Sequence, residues 1–216
     1  MAAIENLLKH PALWRARERC QSAQPAGLPT GFAALDRCLP GRGWPRRGLI
    51  EVLAGRHGIG ELSLLMPALA ALCAEQSGGW LAWISPPYQP YAPALAAAGI
   101  DVQRVLVVRA KPAVWAMEQA LHSGACSAAL GWVSPREPSA LRRLQLAAEQ
   151  SECLAVLFRH PDDSKKPSPA VLRLALETGC EGPVARIIKS RGGRPVSVQL
   201  DGPTNLPPDA KSASVY

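Results

Sequence analysis

The segment from Gly55 to Leu62 has residue types and spacing that could bind a phosphate. Its glycines follow the pattern G-x-x-x-x-G-K-[ST] of a phosphate-binding loop. In such a loop, backbone amides surround the phosphates, a lysine neutralises them and a hydroxyl holds Mg²⁺. Gly55, Gly58 and Gly60 supply the flexible backbone, but Glu61 stands at the lysine position and Leu62 at the hydroxyl position.

This replacement reverses the charge that a nucleotide would meet. Two like charges about 4 Å apart repel by about 4 kcal/mol at an effective dielectric constant of about 20. A repulsion of this size weakens nucleotide binding by about three orders of magnitude. A carboxylate is itself well placed at the start of a helix, so we expect Glu61 to occupy the anion position and the protein to need no cofactor. The alternatives are a glycine turn that serves only strand-to-helix packing, and weak residual nucleotide binding.

Metal binding and nucleophilic catalysis are both poorly supported. The six cysteines never form a CxxC pair, and only four histidines are available, so we predict no metal site and buried, reduced thiols. No strand-to-helix turn carries a serine nucleophile, so a Ser/His/Asp triad is not expected. With three tyrosines and two phenylalanines, a stacking platform for single-stranded nucleic acid is also unexpected.

Basic residues are in excess, with 24 Lys and Arg against 17 Asp and Glu. A late strand and turn concentrate Arg186, Lys189, Arg191 and Arg194. Strand alternation puts Lys189 and Arg191 on one face and Arg186 on the other. This set favours either contact with DNA phosphates or, as an alternative, protection of an edge strand or contact with a partner protein.

The N-terminal segment offers a second candidate surface. Residues 4–20 are predicted to form a short helix carrying Trp14, Arg15 and Arg17. Such a helix would dock on a partner protein, or Trp14 would pack on the protein's own core. Trp44, between Gly43 and Pro45, is interpreted as a structural anchor.

The remaining pattern alternates strands with helices. It predicts an α/β protein with a mostly parallel sheet flanked by helices and extended by antiparallel C-terminal strands. Three segments are predicted: a helical segment with its linker at 1–27, a core at 28–201 and a disordered tail at 202–216. The predicted strands are 48–55, 80–85, 105–110, 125–133, 153–160, 171–178, 185–190 and 196–200, and the main helices are 61–76, 91–98, 112–122 and 138–150.

Two local signals refine this pattern. Thr30 is predicted to cap a short helix at 32–35, and Pro67 to kink the helix at 61–76 or delay its start. The longest apolar stretch, 62–74, is shorter than the roughly 20 residues that span a bilayer. With no signal peptide evident, we expect a cytoplasmic protein without membrane contact.

Residues 28–200 resemble the ATPase core of the RecA recombinase family. The likeness extends from the glycine loop through 84–88, 98–101, 124–133, 155–160 and 187–195. It implies a RecA-like core of the P-loop type. The family's water-activating Glu falls at Pro87, its Walker B Asp at about Trp132 and its sensor Gln at His160. Since phosphoryl transfer needs such groups, the resemblance implies a scaffold that has lost its reaction.

A narrower resemblance is to the ImuA family, carried by 12–15, 28–36, 39–48, 58–62 and 83–87. It implies an adaptor in SOS-induced translesion DNA synthesis, acting with an ImuB-like protein and a DnaE-type error-prone polymerase. Contact with RecA or DNA, and self-association, are further expectations. The SulA family shares the central third of the chain, and this leaves open an alternative, a division inhibitor that binds FtsZ. A residual ATPase is the third hypothesis.

Overall fold

Eight strands form one sheet in the computed structural model, which describes residues 26–75, 78–135, 137–179 and 182–202. Their order across the sheet is β3-β2-β4-β5-β1-β6-β7-β8. The strands are β1 Leu49–Ala54, β2 Trp80–Ile84, β3 Val105–Val108, β4 Cys126–Gly131, β5 Leu154–Arg159, β6 Leu172–Gly179, β7 Gly182–Ser190 and β8 Val196–Gln199.

Strands β1 to β6 run parallel to one another, whereas β7 is antiparallel to β6 and β8 is antiparallel to β7. The predicted mostly parallel sheet with an antiparallel C-terminal extension is therefore confirmed. Crossover helices explain the parallel part, since two parallel neighbours need a long connection, and the short turns after β6 and β7 explain the antiparallel part.

Helices cover both faces of the sheet, as predicted. Alternate residues of each central strand enter two separate apolar clusters, one on each face. The first face is covered by α1 to α3 and the second by α4 and α5. The helices are α1 Ala33–Cys38, α2 Met66–Ala74, α3 Ala92–Ala97, α4 Ala113–His122 and α5 Pro138–Gln150, with 3₁₀ turns at Pro40–Arg42, Val102–Arg104 and Pro161–Lys165.

Several local predictions differ from the structure. The helix expected from residue 61 begins at Met66, with Pro67 in its first turn, where a missing N–H costs least. This confirms the delayed start. Thr30 is not the cap of α1: that position is held by Phe32 and has no side-chain hydrogen bond. The hydroxyl of Thr30 instead accepts the Phe32 N–H two residues ahead of it.

Trp44 is an anchor, as interpreted from the sequence. Its side chain is fully buried, and Leu28 and Trp44 exchange two backbone hydrogen bonds of 2.9 and 2.7 Å. Gly43 lies so close that a Cβ there would stand 2.4 Å from the Leu28 carbonyl oxygen. We call this contact between Leu28 and Trp44 the clasp. It joins the first described residues to the first apolar cluster.

Some predictions fall outside the described residues. These are the N-terminal helix with Trp14, Arg15 and Arg17, and the tail beyond residue 202. Within the part of the chain that the structure describes, no helix combines the length and apolar character needed to cross a membrane.

Candidate functional site

The glycine loop after β1 is closed by its own acidic side chain. The Gly58 N–H donates to both carboxylate oxygens of Glu61, at 2.8 and 3.0 Å. Glu61 is only 4% exposed, so the loop folds around it. Gly58 and Gly60 have φ values of 85° and 104°, a left-handed conformation that glycine adopts without strain. The Glu61 carboxylate thus occupies the Gly58 N–H, a backbone donor inside the loop.

The next residues join the core and do not form an open binding face. Leu62 and Ile59 are half-buried and pack against the apolar cluster of the first face. Residues 61–65 form turns, with the Leu64 and Met66 amides bonded to the carbonyls of Gly60 and Leu62. The helix therefore starts after these turns, and the amide of its first residue, Met66, is already bonded to the Leu62 carbonyl.

Aromatic side chains lie where the resemblance places the metal-binding and sensor strands. Trp132, directly after β4, stacks on Phe158 of β5 with ring centroids 4.5 Å apart and also contacts Trp83 at 5.6 Å. All three belong to the first face, on the same side as Leu62. The position is thus filled by apolar rings that have no metal-binding atom.

Two other positions of the resemblance serve local structure. The Nδ1 atom of His160 accepts the Asp162 N–H at 3.3 Å and so caps the 3₁₀ turn that follows β5. Pro87 is exposed and carries no titratable group. Among the described residues, no group of three or more His, Cys, Asp or Glu is placed to hold a metal ion.

Exposed aromatic rings stand beside the closed loop. His57 of the loop meets Tyr88, which follows β2, edge to face with ring centroids 6.4 Å apart. Tyr88 is 72% exposed, and Tyr91 just beyond it is 67% exposed. We call His57, Tyr88 and Tyr91 the carboxyl-edge surface, because they follow the carboxyl ends of β1 and β2. Amphipathic rings left in water are typical of protein-binding surfaces.

A buried ionic cluster lies on the second face, beneath the connection from β5 to β6. Glu51 of β1 is fully buried and accepts hydrogen bonds from Arg159 at 2.9 Å, Arg173 at 2.6 Å and the Ser168 hydroxyl at 2.7 Å. Arg173 also donates to three carbonyls of that connection, those of Asp163, Ser164 and Lys166.

Asp163 completes this cluster. Burial alone would raise the pKa of its carboxyl, but the hydrogen bond from Lys166 and the charges of Arg159 and Lys166 outweigh burial, so the pKa lies below its usual value. Lys166 and Arg159 approach it at 2.8 and 3.1 Å. This cluster was not predicted from the sequence, because residues 51, 159 and 173 are far apart along the chain. One available signal was a charged residue in or at the end of each of three largely apolar strands.

Three of the four basic residues predicted on the late strand and turn are already bonded to other parts of the chain. Arg186 pairs with Glu177 at 2.8 Å, and Arg191 pairs with Glu149 at 3.1 Å. Lys189 donates to the Ser168 carbonyl at 2.8 Å. Burial lowers the pKa of Lys189, and the charges of Arg173 and Arg191 lower it further.

Arg194 differs from the other three. It is exposed, and within the described residues no hydrogen bond or ion pair engages it. The structure thus brings Lys189 and Arg191 onto one side of β7, but it does not gather four free cations into a patch.

A cavity of about 950 Å³ lies beside the amino ends of the strands, away from the glycine loop. Its rim carries Arg46 and Arg47, which are paired with Glu75 at 3.9 Å and Glu152 at 2.8 Å. These pairs leave little net charge for a polyanion.

The described thiols are free, but they are less buried than expected. Cys153 is buried, whereas Cys38, Cys73 and Cys126 are only half-buried. Burial raises the pKa of Cys126 and of Cys153, both of which line the large cavity.

Comparison with known proteins gives two groups of relatives. Residues 50–155 match the family model described as cell division inhibitor SulA. The chain is 36% identical over 124 residues to cell division inhibitor SulA of Edwardsiella piscicida, covering 56% of this chain and 73% of the relative. It is 30% identical over 142 residues to protein ImuA of Caulobacter vibrioides, covering 62% of this chain and 58% of the relative.

Among solved structures, the crystal structure of SulA from Pseudomonas aeruginosa aligns with a TM-score of 0.42 and 28% identity. That alignment covers 51% of this chain and 97% of the other. The match to the Edwardsiella protein is the more informative, since it combines 36% identity with almost three quarters of the relative's length. On this basis the chain belongs to the SulA family.

Proposed function

We propose that this protein is a non-catalytic binding protein of the bacterial response to DNA damage, built on a RecA-like scaffold whose nucleotide site is closed. The observation that carries the proposal is the carboxylate of Glu61, which accepts the Gly58 amide with both oxygens inside the loop. An incoming phosphate would have to displace a buried anion from the donor that it needs itself.

A second feature supports the loss of catalysis. Trp132 and Phe158 fill the first face beside the loop with stacked rings. Restoring a metal site there would require a carboxylate and a cavity in place of a packed aromatic pair. Phosphoryl transfer depends on charge neutralisation and on a positioned water. The side chains of Trp132 and Phe158 supply neither a charged group nor a group that would position the water.

The first candidate function is that of an adaptor in translesion DNA synthesis. The chain would hold an ImuB-like protein and a DnaE-type polymerase together, with RecA or DNA as a further contact. Its support is the alignment with ImuA, which extends over 62% of this chain, compared with 56% for the Edwardsiella SulA protein. The carboxyl-edge surface is the face that we assign to partner contact.

The second candidate is a division inhibitor that binds FtsZ. Its support is the SulA family model over residues 50–155 and the higher identity of 36% to a SulA relative. Both candidates use the same closed loop and differ in the partner. They are therefore separated by binding partners and not by chemistry.

Isothermal titration with ATP and Mg²⁺ tests the shared part of the proposal. We expect no binding heat and no hydrolysis from the wild-type protein. The double variant Glu61→Lys and Leu62→Thr, which restores the pattern of a phosphate-binding loop, is expected to gain measurable affinity. Micromolar ATP binding by the wild-type protein would contradict the closed loop.

Affinity capture with purified ImuB-like protein, DnaE-type polymerase and FtsZ separates the two candidates. Capture of the polymerase components supports the adaptor, and capture of FtsZ alone supports the inhibitor. Tyr88→Ala combined with Tyr91→Ala should weaken the productive capture at least tenfold. Trp115→Ala is the matched control, because Trp115 is 56% exposed but lies on α4, away from both tyrosines in the chain. Equal loss in the control would contradict the assigned surface.

A further inference from the structure

The cavity beside the amino ends of the strands has no part in the proposed function. Its volume is about 950 Å³, and we call it the amino-end cavity. Its walls come from the residues that precede or begin β1, β2, β4 and β5 and from parts of α2, α4 and α5. Protein interiors leave few voids larger than a water molecule, whereas binding cavities measure about 300–1,000 Å³. The amino-end cavity therefore has the size of a binding site.

Apolar side chains form much of its wall. Four of them are at most 7% exposed: Leu39, Leu72, Leu121 and Val171. Trp80, which begins β2 directly after the wall residue at position 79, is 47% exposed. Apolar surface thus continues from the wall onto the adjoining outer surface of the protein.

The rim of the amino-end cavity adds little net charge. Arg46 and Arg47 are paired with carboxylates at 3.9 and 2.8 Å, and Arg191 is paired with Glu149 at 3.1 Å. A free anion would have to break these pairs, whereas an apolar side chain would leave them intact. The lining therefore favours an apolar occupant.

The described part of the chain enters at this cavity. Gly27 lines it, and the Gly27 N–H donates to the Gly41 carbonyl at 2.7 Å. A Cβ on Gly27 would stand 2.7 Å from the carbonyl carbon of Gly43, so the backbone is held closely at this point. Residues 1–25 are therefore attached to the core at the cavity itself.

The attached segment carries bulky apolar residues at helical spacing. Ile4, Leu7 and Leu8 recur at the intervals i, i+3 and i+4, and Trp14 follows Leu7 by two helical turns. An aromatic side chain of this kind buries about 150–250 Å² when it is packed. We propose that residues 1–25 dock on the core of their own chain, with Trp14 seated in the amino-end cavity.

The linker is long enough for this contact. The predicted helix ends at residue 20, and residues 21–26 join it to Gly27. Six residues extend over at most about 20 Å, and Trp14 lies about 9 Å before the end of the helix. Trp14 therefore reaches the cavity when the helix folds back over the linker. The carboxyl-edge surface is farther from Gly27 by about 20 Å, the length of the six residues of β1.

Photo-cross-linking of the full chain tests the contact directly. With p-benzoylphenylalanine in place of Trp14, we expect cross-links to the lining peptides 121–127 and 147–153, identified by mass spectrometry. The same photoreactive residue in place of Ala16 is the matched control, because position 16 lies about 160° away around the predicted helix and should not give these cross-links.

The origin of the cross-links decides between one chain and two. A mixture of isotope-labelled and unlabelled chains should give no cross-linked peptide pair of mixed label, because the segment docks on its own core. Cross-links only between chains, or only to other surfaces, would overturn the proposal.

Protection of a native thiol is an independent measurement. Cys126 lines the cavity and is half-buried, so a docked segment should shield it from N-ethylmaleimide. Trp14→Glu should raise the rate of modification of Cys126 by about fivefold or more, since thiol reactivity depends on access. Ala16→Glu adds the same charge on the other side of the predicted helix and should leave the rate unchanged. Equal Cys126 rates in the wild type and in Trp14→Glu would overturn the proposal.

Discussion

Removing the charge of Glu51 should destabilise the fold more than any other single carboxylate substitution in the described chain. Glu51→Gln keeps the size of the side chain and one acceptor oxygen. It deprives two buried guanidiniums of their shared counter-charge, since Arg159 and Arg173 are 2.9 and 2.6 Å from Glu51 and their side chains are only 2% and 6% exposed.

The magnitude follows from this burial. Breaking a buried ion pair by removing one partner costs about 3–5 kcal/mol, against a total unfolding free energy of about 5–15 kcal/mol for a typical domain. For a chain of this size, each kcal/mol lowers the melting temperature by about 2–4 °C. Glu51→Gln should therefore lower it by about 6–20 °C.

Differential scanning calorimetry at neutral pH measures this change, with Glu152→Gln as the control. Glu152 pairs with Arg47 at a similar distance, 2.8 Å, but the two side chains are 84% and 60% exposed. Exposed pairs contribute about 0–1 kcal/mol, so the control should melt within a few degrees of the wild type. Equal shifts for the two variants, or a Glu51→Gln shift under about 2 °C, would refute the assignment of this cluster as a stability determinant.

Three further outcomes follow from the geometry. The pKa of Asp163 is lowered in the folded protein, so its ionised carboxylate stabilises the fold. This stabilisation is complete above the ordinary Asp pKa of about 3.9 and is lost as the pH falls through the folded-state pKa. Asp163→Asn should therefore flatten the acid limb of a curve of unfolding free energy against pH. Burial raises the pKa of the Cys153 thiol, so iodoacetamide at pH 7 should label this residue in the unfolded protein and leave it unlabelled in the native one. Mass spectrometry measures the labelling, and a labelled Cys153 in the native protein would contradict its burial. Gly43→Ala should cost at least about 1–3 kcal/mol in denaturant unfolding, because the new Cβ would meet the Leu28 carbonyl oxygen at 2.4 Å, and a neutral result would show that the clasp can move.

The architecture was predictable because it is encoded in local patterns. Apolar runs separated by helical segments gave the parallel strands, and the Gly-Gly-Arg-Pro turn gave the β7–β8 hairpin. Boundaries were less accurate. The strand predicted at 105–110 ends at Val108, and the loop after residue 160 contains a 3₁₀ turn. These ends are set by tertiary hydrogen bonds, such as that from Ser85 to Val108, which no local pattern encodes.

The candidate site was predictable only where its residues are adjacent in sequence. The loop from Gly55 to Leu62 is one continuous segment, so its glycines and its reversed charge could be interpreted directly. The partners of Glu51 lie 108 and 122 residues away, and the contact of His57 with Tyr88 joins two separate loops. Pairings of this kind depend on strand order, which the sequence does not state.

The ionic cluster also has a consequence for how this chain relates to shorter members of its family. Glu51 lies inside the region that the SulA family model matches, residues 50–155, whereas Arg159 and Arg173 both lie beyond it. A protein that ended near residue 155 and kept the acid would bury a lone anion. The acid at residue 51 and the strands that carry the two arginines therefore depend on each other, and a chain given Glu51 without those arginines should bury an unpaired anion.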